Sequence, residues 1–398
     1  MDKPLRLCVV SPLYHPSLGG VGRQAVALTE RLRAEGAHVI VLCREMRGID
    51  DWKPHRDVPV RTVRSLNPYR VNLQQRSLQN ILISFSFSLA LGGALFRTRR
   101  DYDIVHFHGA GLPLVTNVLL LKLMGKKVVA KVAGAKMAIE AGSFNGRYLG
   151  LGKLFVRMLR KVDVFVSISS EIRSDLLGEG YEEARIRDIS NFVVPGDFSP
   201  PADVLEKTAR KRELVKDDRL MLLFAGRLVR TKRVDVLLQA VKRSCDQGLD
   251  PVLVILGEGE EREPLERLAA GLGLQGRVVF RGNVQNVREY LHAADIFVFP
   301  SEREGMPNAL LEAMACGLPV IAARSGGVTD IVSDAENGLL VDAGSVDQFH
   351  AALERLLRDP DVRQLLGRRA FETIRERFSI DSVIPRYLAL YRELLGAD

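Results

Sequence analysis

The chain has 398 residues, 46% hydrophobic and 27% charged, enough apolar material for two or three packed domains; disordered and collagen-like chains are excluded. Its four cysteines (Cys8, Cys43, Cys245, Cys316) stand far apart with no CxxC pair. That argues against a disulfide framework or a cysteine metal site and predicts a reduced, intracellular protein. The net charge of +8 is unevenly placed: residues 1–199 hold 29 Lys and Arg against 18 Asp and Glu, residues 200–398 hold 28 against 31. A basic first half suits nucleic acid, an anionic membrane surface or an acidic small substrate. Aromatics are 6% and form no basic stripe of the kind that stacks single strands, so nucleic acid is not expected as a partner. The apolar run in MDKPLRLCVVSP is too short for a signal-peptide core, and no export is expected.

Short apolar runs alternate with longer amphipathic ones, the pattern of βαβ units and parallel sheets. Strands are predicted at Leu5–Val10, His38–Leu42, Ile104–Phe107, Lys127–Val132 and Val164–Ile168, then at Leu220–Ala225, Val252–Leu256, Val278–Arg281, Ile296–Phe299 and Val320–Ala322. Helices include Gly22–Glu35, Asp235–Gln247 and Glu263–Leu272. Periodicity breaks over NFVVPGDFSPPAD, Asn191–Asp203, where three prolines and a glycine mark a linker. Two doubly wound lobes joined there would open a cleft at the carboxyl ends of both sheets. Ser77–Phe96 is 20 residues without a charge, long enough to span a bilayer. Its Gln79, Asn80, three alternating serines and Gly92–Gly93 favour a buried or groove-lining helix, with interfacial contact left open.

Three stretches carry chemistry. In SEREGMPNALLEAMACGLPVIAARSGGVTDIV, residues 301–332, Glu304 falls in the loop after a strand and Glu312 just over a turn into the next helix. Two carboxylates there can accept hydrogen bonds from vicinal hydroxyls, and the amides of Gly305, Met306 and the first helical turn favour an anion. In FAGRLVRTKRVDVLLQAV, residues 224–241, Gly226 permits close backbone approach, and Arg227 and Lys232 can neutralise a diphosphate. Arg230 and Arg233 beside them read as solvated cations. In SPLYHPSLGGVGRQAV, residues 11–26, Gly19–Gly20 precede a helix whose amino end can hold phosphate oxygens. Each stretch alone also admits a plainer reading: surface glutamates, surface cations, an ordinary turn.

Together and in this order, they resemble the family-4 retaining glycosyltransferases of GT-B fold, over nearly the whole chain. The resemblance rests on GRL with Lys232, the E-x7-E of EGMPNALLEAMACGLPV, GG followed by VTDIV, and FSIDSVIPRYLALYRELL, which is similar to the family's closing helix. It implies an α/β chain of two Rossmann-like lobes: an acceptor lobe over 1–197, completed by 381–398, and a nucleotide-sugar lobe over 198–380. Carried over, Arg227 and Lys232 would grip the donor diphosphate, with Gly226 beside them, and Glu312 would hold the ribose. Glu304 with Gly305, Met306, Pro307 and Asn308 would hold the sugar, while Gly19 and Gly20 would approach the phosphate from the opposite lobe.

The resemblance further implies a UDP- or GDP-sugar donor, no metal and no other cofactor, and attack on the face from which the diphosphate leaves. The basic first lobe then favours an anionic saccharide or lipid-linked acceptor, cytoplasmic work at the inner membrane face, and a role in polysaccharide or glycolipid assembly. The D-x-D runs at Asp101–Asp103 and Asp359–Asp361 read as caps or turns. Two departures stand out. Ala133 occupies the place of the family's T-x-H-G histidine, which makes His108 of HFHG the candidate catalytic contact or base, His106 a packed histidine, and Lys131 and Lys136 alternative charges near the acceptor. NFVVPGDF also replaces the common N-G-V-D. A nucleotide-sugar epimerase and a non-catalytic sugar-nucleotide-binding partner are the alternatives, separable by turnover.

Overall fold

A computed structural model describes residues 4–12, 14, 20–45, 58–66, 78–133, 152–216 and 218–396. The chain divides into two compact units, Met1–Asn191 with Val383–Asp398, and Phe192–Ser382. The division falls at the front of the Pro-rich stretch because Val193 already belongs to the second unit. Its N–H donates to Phe378 O (2.8 Å), and its carbonyl accepts from Ile380 N (2.9 Å).

Unit 1 is a parallel sheet of β1 (Arg6–Ser11), β2 (His38–Arg44), β3 (Val60–Val63), β4 (Ile104–His108), β5 (Lys127–Val132), β6 (Val164–Ser167) and β7 (Ile186–Asp188), ordered β3-β2-β1-β4-β5-β6-β7. Its helices are α1 (Gly20–Ala34), α2 (Leu78–Arg97), α3 (Leu112–Leu123), α4 (Gly152–Leu159) and α5 (Ser170–Gly178). Unit 2 has β8 (Met221–Ala225), β9 (Val252–Leu256), β10 (Val278–Gly282), β11 (Ile296–Phe299), β12 (Val320–Ala323) and β13 (Leu339–Val341), also parallel, ordered β10-β9-β8-β11-β12-β13. The helices α6 (Val204–Val215), α7 (Val234–Asp246), α8 (Arg262–Gly271), α9 (Val287–Ala293), α10 (Asn308–Ala315), α11 (Val346–Arg358) and α12 (Pro360–Thr373) accompany it. The last helix, α13 (Ile380–Leu395), counts with unit 1 from Val383 onward.

Both sheets are doubly wound, with strand order reversing next to the first strand of each unit. In such sheets ligands settle at the carboxyl ends of the strands flanking that reversal. Those strands are β1 and β4 in unit 1, β8 and β11 in unit 2; His108 ends β4, and Gly226, Arg227, Lys232, Glu304 and Gly305 follow the ends of β8 and β11. Central strands are covered on both faces and so read as continuous apolar runs, which the sequence locates to within about two residues. In unit 2, Leu222, Phe224, Leu253, Ile255, Ile296 and Val298 join Leu237, Val241 and Phe349 in one core.

Candidate functional site

In unit 2, β8 delivers Gly226, Arg227 and, after a 3-10 turn at Arg230–Lys232, the lysine side chain. Its neighbour β11 delivers Ser301 and Glu304. The two loops are fastened together: Thr231 O accepts from Glu302 N (3.0 Å) and lies 3.3 Å from Ser301 Oγ. Lys232 Nζ is ion-paired with Glu304 Oε1, both side chains largely buried at 16% and 13% exposure, and lies 5.3 Å from the Phe299 ring centroid. Ser301 Oγ donates to the same Oε1 at 2.6 Å. The sequence assigned Lys232 and Glu304 to separate parts of a ligand; the structure joins them. Arg227 is exposed and makes no ion pair among the described residues. Arg233 is not the solvated cation expected: it bonds Asp235 (3.1 Å) and Glu302 (3.4 Å).

Gly305, Met306 and Pro307 lead into α10, whose first residue is Asn308. Pro307 at the N-cap position makes no side-chain capping bond among the described residues, and the amides of the first turn of α10 face this loop. Glu312 sits one turn in and is buried. Two glycines shape the site: Gly327, quoted from the sequence only as part of the GG-VTDIV motif, and Gly257, which sequence reading did not single out. A Cβ on Gly327 would stand 1.9 Å from Gly305 O, and Gly327 N donates to Glu304 O at 3.1 Å, so the 325–328 turn braces the Glu304 loop. Gly257, at φ +126°, lies where a Cβ would meet Gly226 O at 1.9 Å. Ser325 Oγ completes the frame by donating to Ser301 O (2.9 Å). Small residues pressed against a backbone carry no signal in a lone sequence.

In unit 1, Gly20 is the first residue of α1, while Gly19 and Lys136 lie outside the described residues. His108 ends β4, buried, with neither ring nitrogen hydrogen-bonded among the described residues. Lys131 pairs with it across the sheet, also buried, and the His106 ring is 4.8 Å away. His106 is packed, with Nδ1 2.7 Å from Tyr391 Oη. Of the D-x-D residues, Asp103 pairs with Arg6 (2.7 Å), and Asp359 caps α12, accepting from Asp361 and Val362 N–H groups at 3.0 Å. Among the described residues no cluster of three or more His, Cys, Asp or Glu could hold a metal ion.

Burial presses all three bases toward neutrality: His106 to about 3, Lys131 to about 7, and His108 well below 6.5 through burial, then His106 and Lys131. A depressed base costs stability once pH falls below its unfolded value. Unit 1 should therefore lose stability as pH drops from about 6.5 toward 3, by up to ~1.4 kcal/mol per pH unit per histidine. Thermal melts between pH 7 and 4 should show a shallower acid slope for His108→Leu than for the wild type; parallel slopes would contradict this.

Comparison with known proteins adds three findings. The glycosyl transferases group 1 family matches residues 206–373 and glycosyltransferase family 4 matches 18–196. The chain is 33% identical over 292 residues (72% of this chain, 82% of the relative) to a lipopolysaccharide core biosynthesis glycosyltransferase of Rhizobium meliloti. It is 31% identical over 422 residues (97% and 89%) to a D-inositol 3-phosphate glycosyltransferase of Acidothermus cellulolyticus. Among solved structures, Anabaena HepE in complex with UDP gives a TM-score of 0.80 at 15% identity (98% of this chain, 100% of that one), and Thermosynechococcus elongatus sucrose-phosphate synthase 0.80 at 22% (99% and 100%). These structural likenesses establish the GT-B fold of paired doubly wound units. The chain belongs to family 4 of the glycosyltransferases and is itself a glycosyltransferase of that fold.

Proposed function

We propose that the protein is a retaining hexosyltransferase that moves a sugar from a nucleotide-diphospho-sugar, UDP- or GDP-linked, to an anionic or lipid-linked saccharide acceptor in polysaccharide or glycolipid assembly. The observation that carries this reading is the buried Lys232–Glu304 pair at the strand-order reversal of unit 2, flanked by Arg227, which makes no ion pair among the described residues, and followed by the amino end of α10. Breaking a glycosyl–phosphate bond builds charge on the leaving diphosphate; Arg227, Lys232 and the helix amides would stabilise that charge without a metal. Glu312 would take the ribose hydroxyls. Glu304 would receive sugar hydroxyls on the oxygen that Lys232 and Ser301 leave open, next to the Gly305–Asn308 backbone. The acceptor hydroxyl would pass its proton to the leaving phosphate, so no protein nucleophile is needed.

The family assigns the acceptor to the first unit, whose excess of cations suits an anionic acceptor at a membrane surface. Its relatives point the same way, since a lipopolysaccharide core transferase and an inositol 3-phosphate transferase are named for acidic or lipid-borne acceptors. His108, buried at the end of β4 with neither ring nitrogen hydrogen-bonded among the described residues, is the proposed contact on that side. The epimerase alternative is not favoured, as both family matches are transferases. Glu312→Ala should weaken donor binding by about tenfold to a hundredfold through loss of charge-assisted hydrogen bonds, as equilibrium donor titration would show. Turnover tests the whole reading: nucleoside diphosphate should be released when donor and lipid-linked acceptor are mixed in EDTA. Conversion of the donor sugar without nucleoside diphosphate release would contradict it.

A further inference from the structure

Helix α2 is apolar on two opposite faces. Ile83, Phe87, Leu91 and Leu95 are buried in unit 1. At about 100° per residue, Leu82, Phe85, Leu89 and Phe96 fall within about 60° of one another on the other side. They are exposed, Leu82 to 60% and Leu89 to 75%. Helix α3 packs beside α2, with Asn117 Nδ2 donating to Ser88 O at 3.0 Å, and adds Leu119 and Leu123, the latter 87% exposed. Of the twelve large hydrophobic residues exposed among the described ones, eight belong to α2, α3, α4 and the adjoining Leu66.

The helices of this face carry cations without acids of their own: Arg97, Arg99 and Arg100 end or follow α2, and Lys153 and Arg157 lie on α4, whereas Lys122 of α3 is already ion-paired with Asp163 at 2.7 Å. Two cations sit on the stripe itself. The Arg99 guanidinium lies 4.2 Å from the Phe96 ring centroid, and Arg97 folds back to within 3.2 Å of where a Gly93 Cβ would stand. Apolar stems beside an apolar stripe, with charged heads at its rim, are the arrangement of a side chain at a water–lipid boundary. No helix among the described residues is long and apolar enough to cross a membrane. A two-faced helix of this kind lies along a surface rather than through it.

We propose that the face formed by α2 and α3 docks on an anionic bilayer, its leucines and phenylalanines in the headgroup–acyl boundary and Arg97, Arg99 and Arg100 on lipid phosphates. A second copy of the same face would bring cation against cation, whereas an anionic leaflet supplies the missing charge. The inference deepens the membrane part of the function proposed above and is independent of its donor chemistry.

Co-sedimentation tests it, with phosphatidylcholine vesicles carrying either no anionic lipid or about 30 mol % phosphatidylglycerol. The wild type should bind the anionic vesicles, less as salt rises, and the neutral ones weakly. Leu89→Glu and Leu123→Glu should each lower binding about tenfold or more, because a leucine's burial is lost and a like charge is added. Leu205→Glu, an equally exposed leucine of unit 2, should change nothing. Equal binding to both vesicles, or unchanged binding in both variants, would overturn the proposal. So would a lipid-free dimer that Leu89→Glu converts to monomer, which would assign the face to a second copy. Donor-induced thermal stabilisation measured on the same samples reports separately on the functional reading: its absence alongside normal vesicle binding would count against the transferase site and not against this face.

Discussion

Replacing Lys232 with Ala should lower the rate of sugar transfer about 100- to 1,000-fold while leaving donor affinity within a few-fold of the wild type. Removing one preorganised donor from a developing oxyanion costs about 3–4 kcal/mol of transition-state stabilisation. In the ground state, Lys232 already spends its charge on Glu304, with Ser301 donating to the same oxygen. A donor diphosphate therefore gains little net attraction from the lysine on binding and more as its own charge grows, which is the condition for an effect on kcat rather than KM. The substitution also leaves Glu304 as a largely buried carboxylate facing only Ser301, so some loss of thermal stability accompanies it. Adding Glu304→Gln to Lys232→Ala should restore that stability without restoring turnover. Single-turnover kinetics beside equilibrium donor binding make the check; equal losses in binding and transfer would contradict a leaving-group role.

Gly327→Ala is the second large effect expected. The added methyl would stand 1.9 Å from Gly305 O and 2.8 Å from its carbon, both backbone atoms, so either the 325–328 turn or the Glu304 loop must move. Overpacking of this kind costs roughly 1–3 kcal/mol, which a two-unit protein of this size can absorb and remain folded. The displaced loop carries Glu304, Gly305 and the start of α10, and a shift of about 1 Å at a positioned reactant can cost about a hundredfold in rate. Expected, then, is a folded protein with both donor affinity and turnover reduced at least tenfold. Wild-type donor binding with a normal circular dichroism spectrum would show that the brace does not set the site.

The two variants separate what could be read along the chain from what could not. Strands β5, β9 and β11 match their predicted runs to the residue: β9 and β11 have no polar interruption, and in β5 Val128, Val129, Ala130 and Val132 carry the run past Lys131. The strands β3, β7 and β13 were not read, being three or four residues long at or near sheet edges, and in β3 and β7 Arg61, Arg187 and Asp188 mimic loop. The loops bearing Arg227, Lys232 and Glu304, and the helix start before Glu312, were legible because glycine, charge and helix-start signals coincide after each apolar run. Their mutual arrangement was not. Lys232 and Glu304 are 72 residues apart and meet because β11 pairs with β8 rather than with β10, a crossover no local pattern encodes. The roles of Ser301, Gly257 and Gly327 were invisible for a further reason: what they do depends on which backbone comes close.

The same reasoning applies to α2. Its length and Gly, Ser and Asn content argued for a packed helix, and one face is packed. On the opposite face Leu82 and Leu89, with Phe85 and Phe96, recur at helical spacing and are exposed. An apolar stripe repeated on both sides of one helix suppresses the amphipathic signal that would have revealed either side.

The central claim is that unit 2 holds a nucleotide-diphospho-sugar without a metal. Thermal stabilisation across UDP-, GDP-, ADP- and TDP-sugars, with and without EDTA, tests it most directly. The account predicts a rise in melting temperature selective for one donor, equal in EDTA and diminished in Glu312→Ala. Stabilisation by none of them, or stabilisation that vanishes when divalent cations are removed, would contradict it.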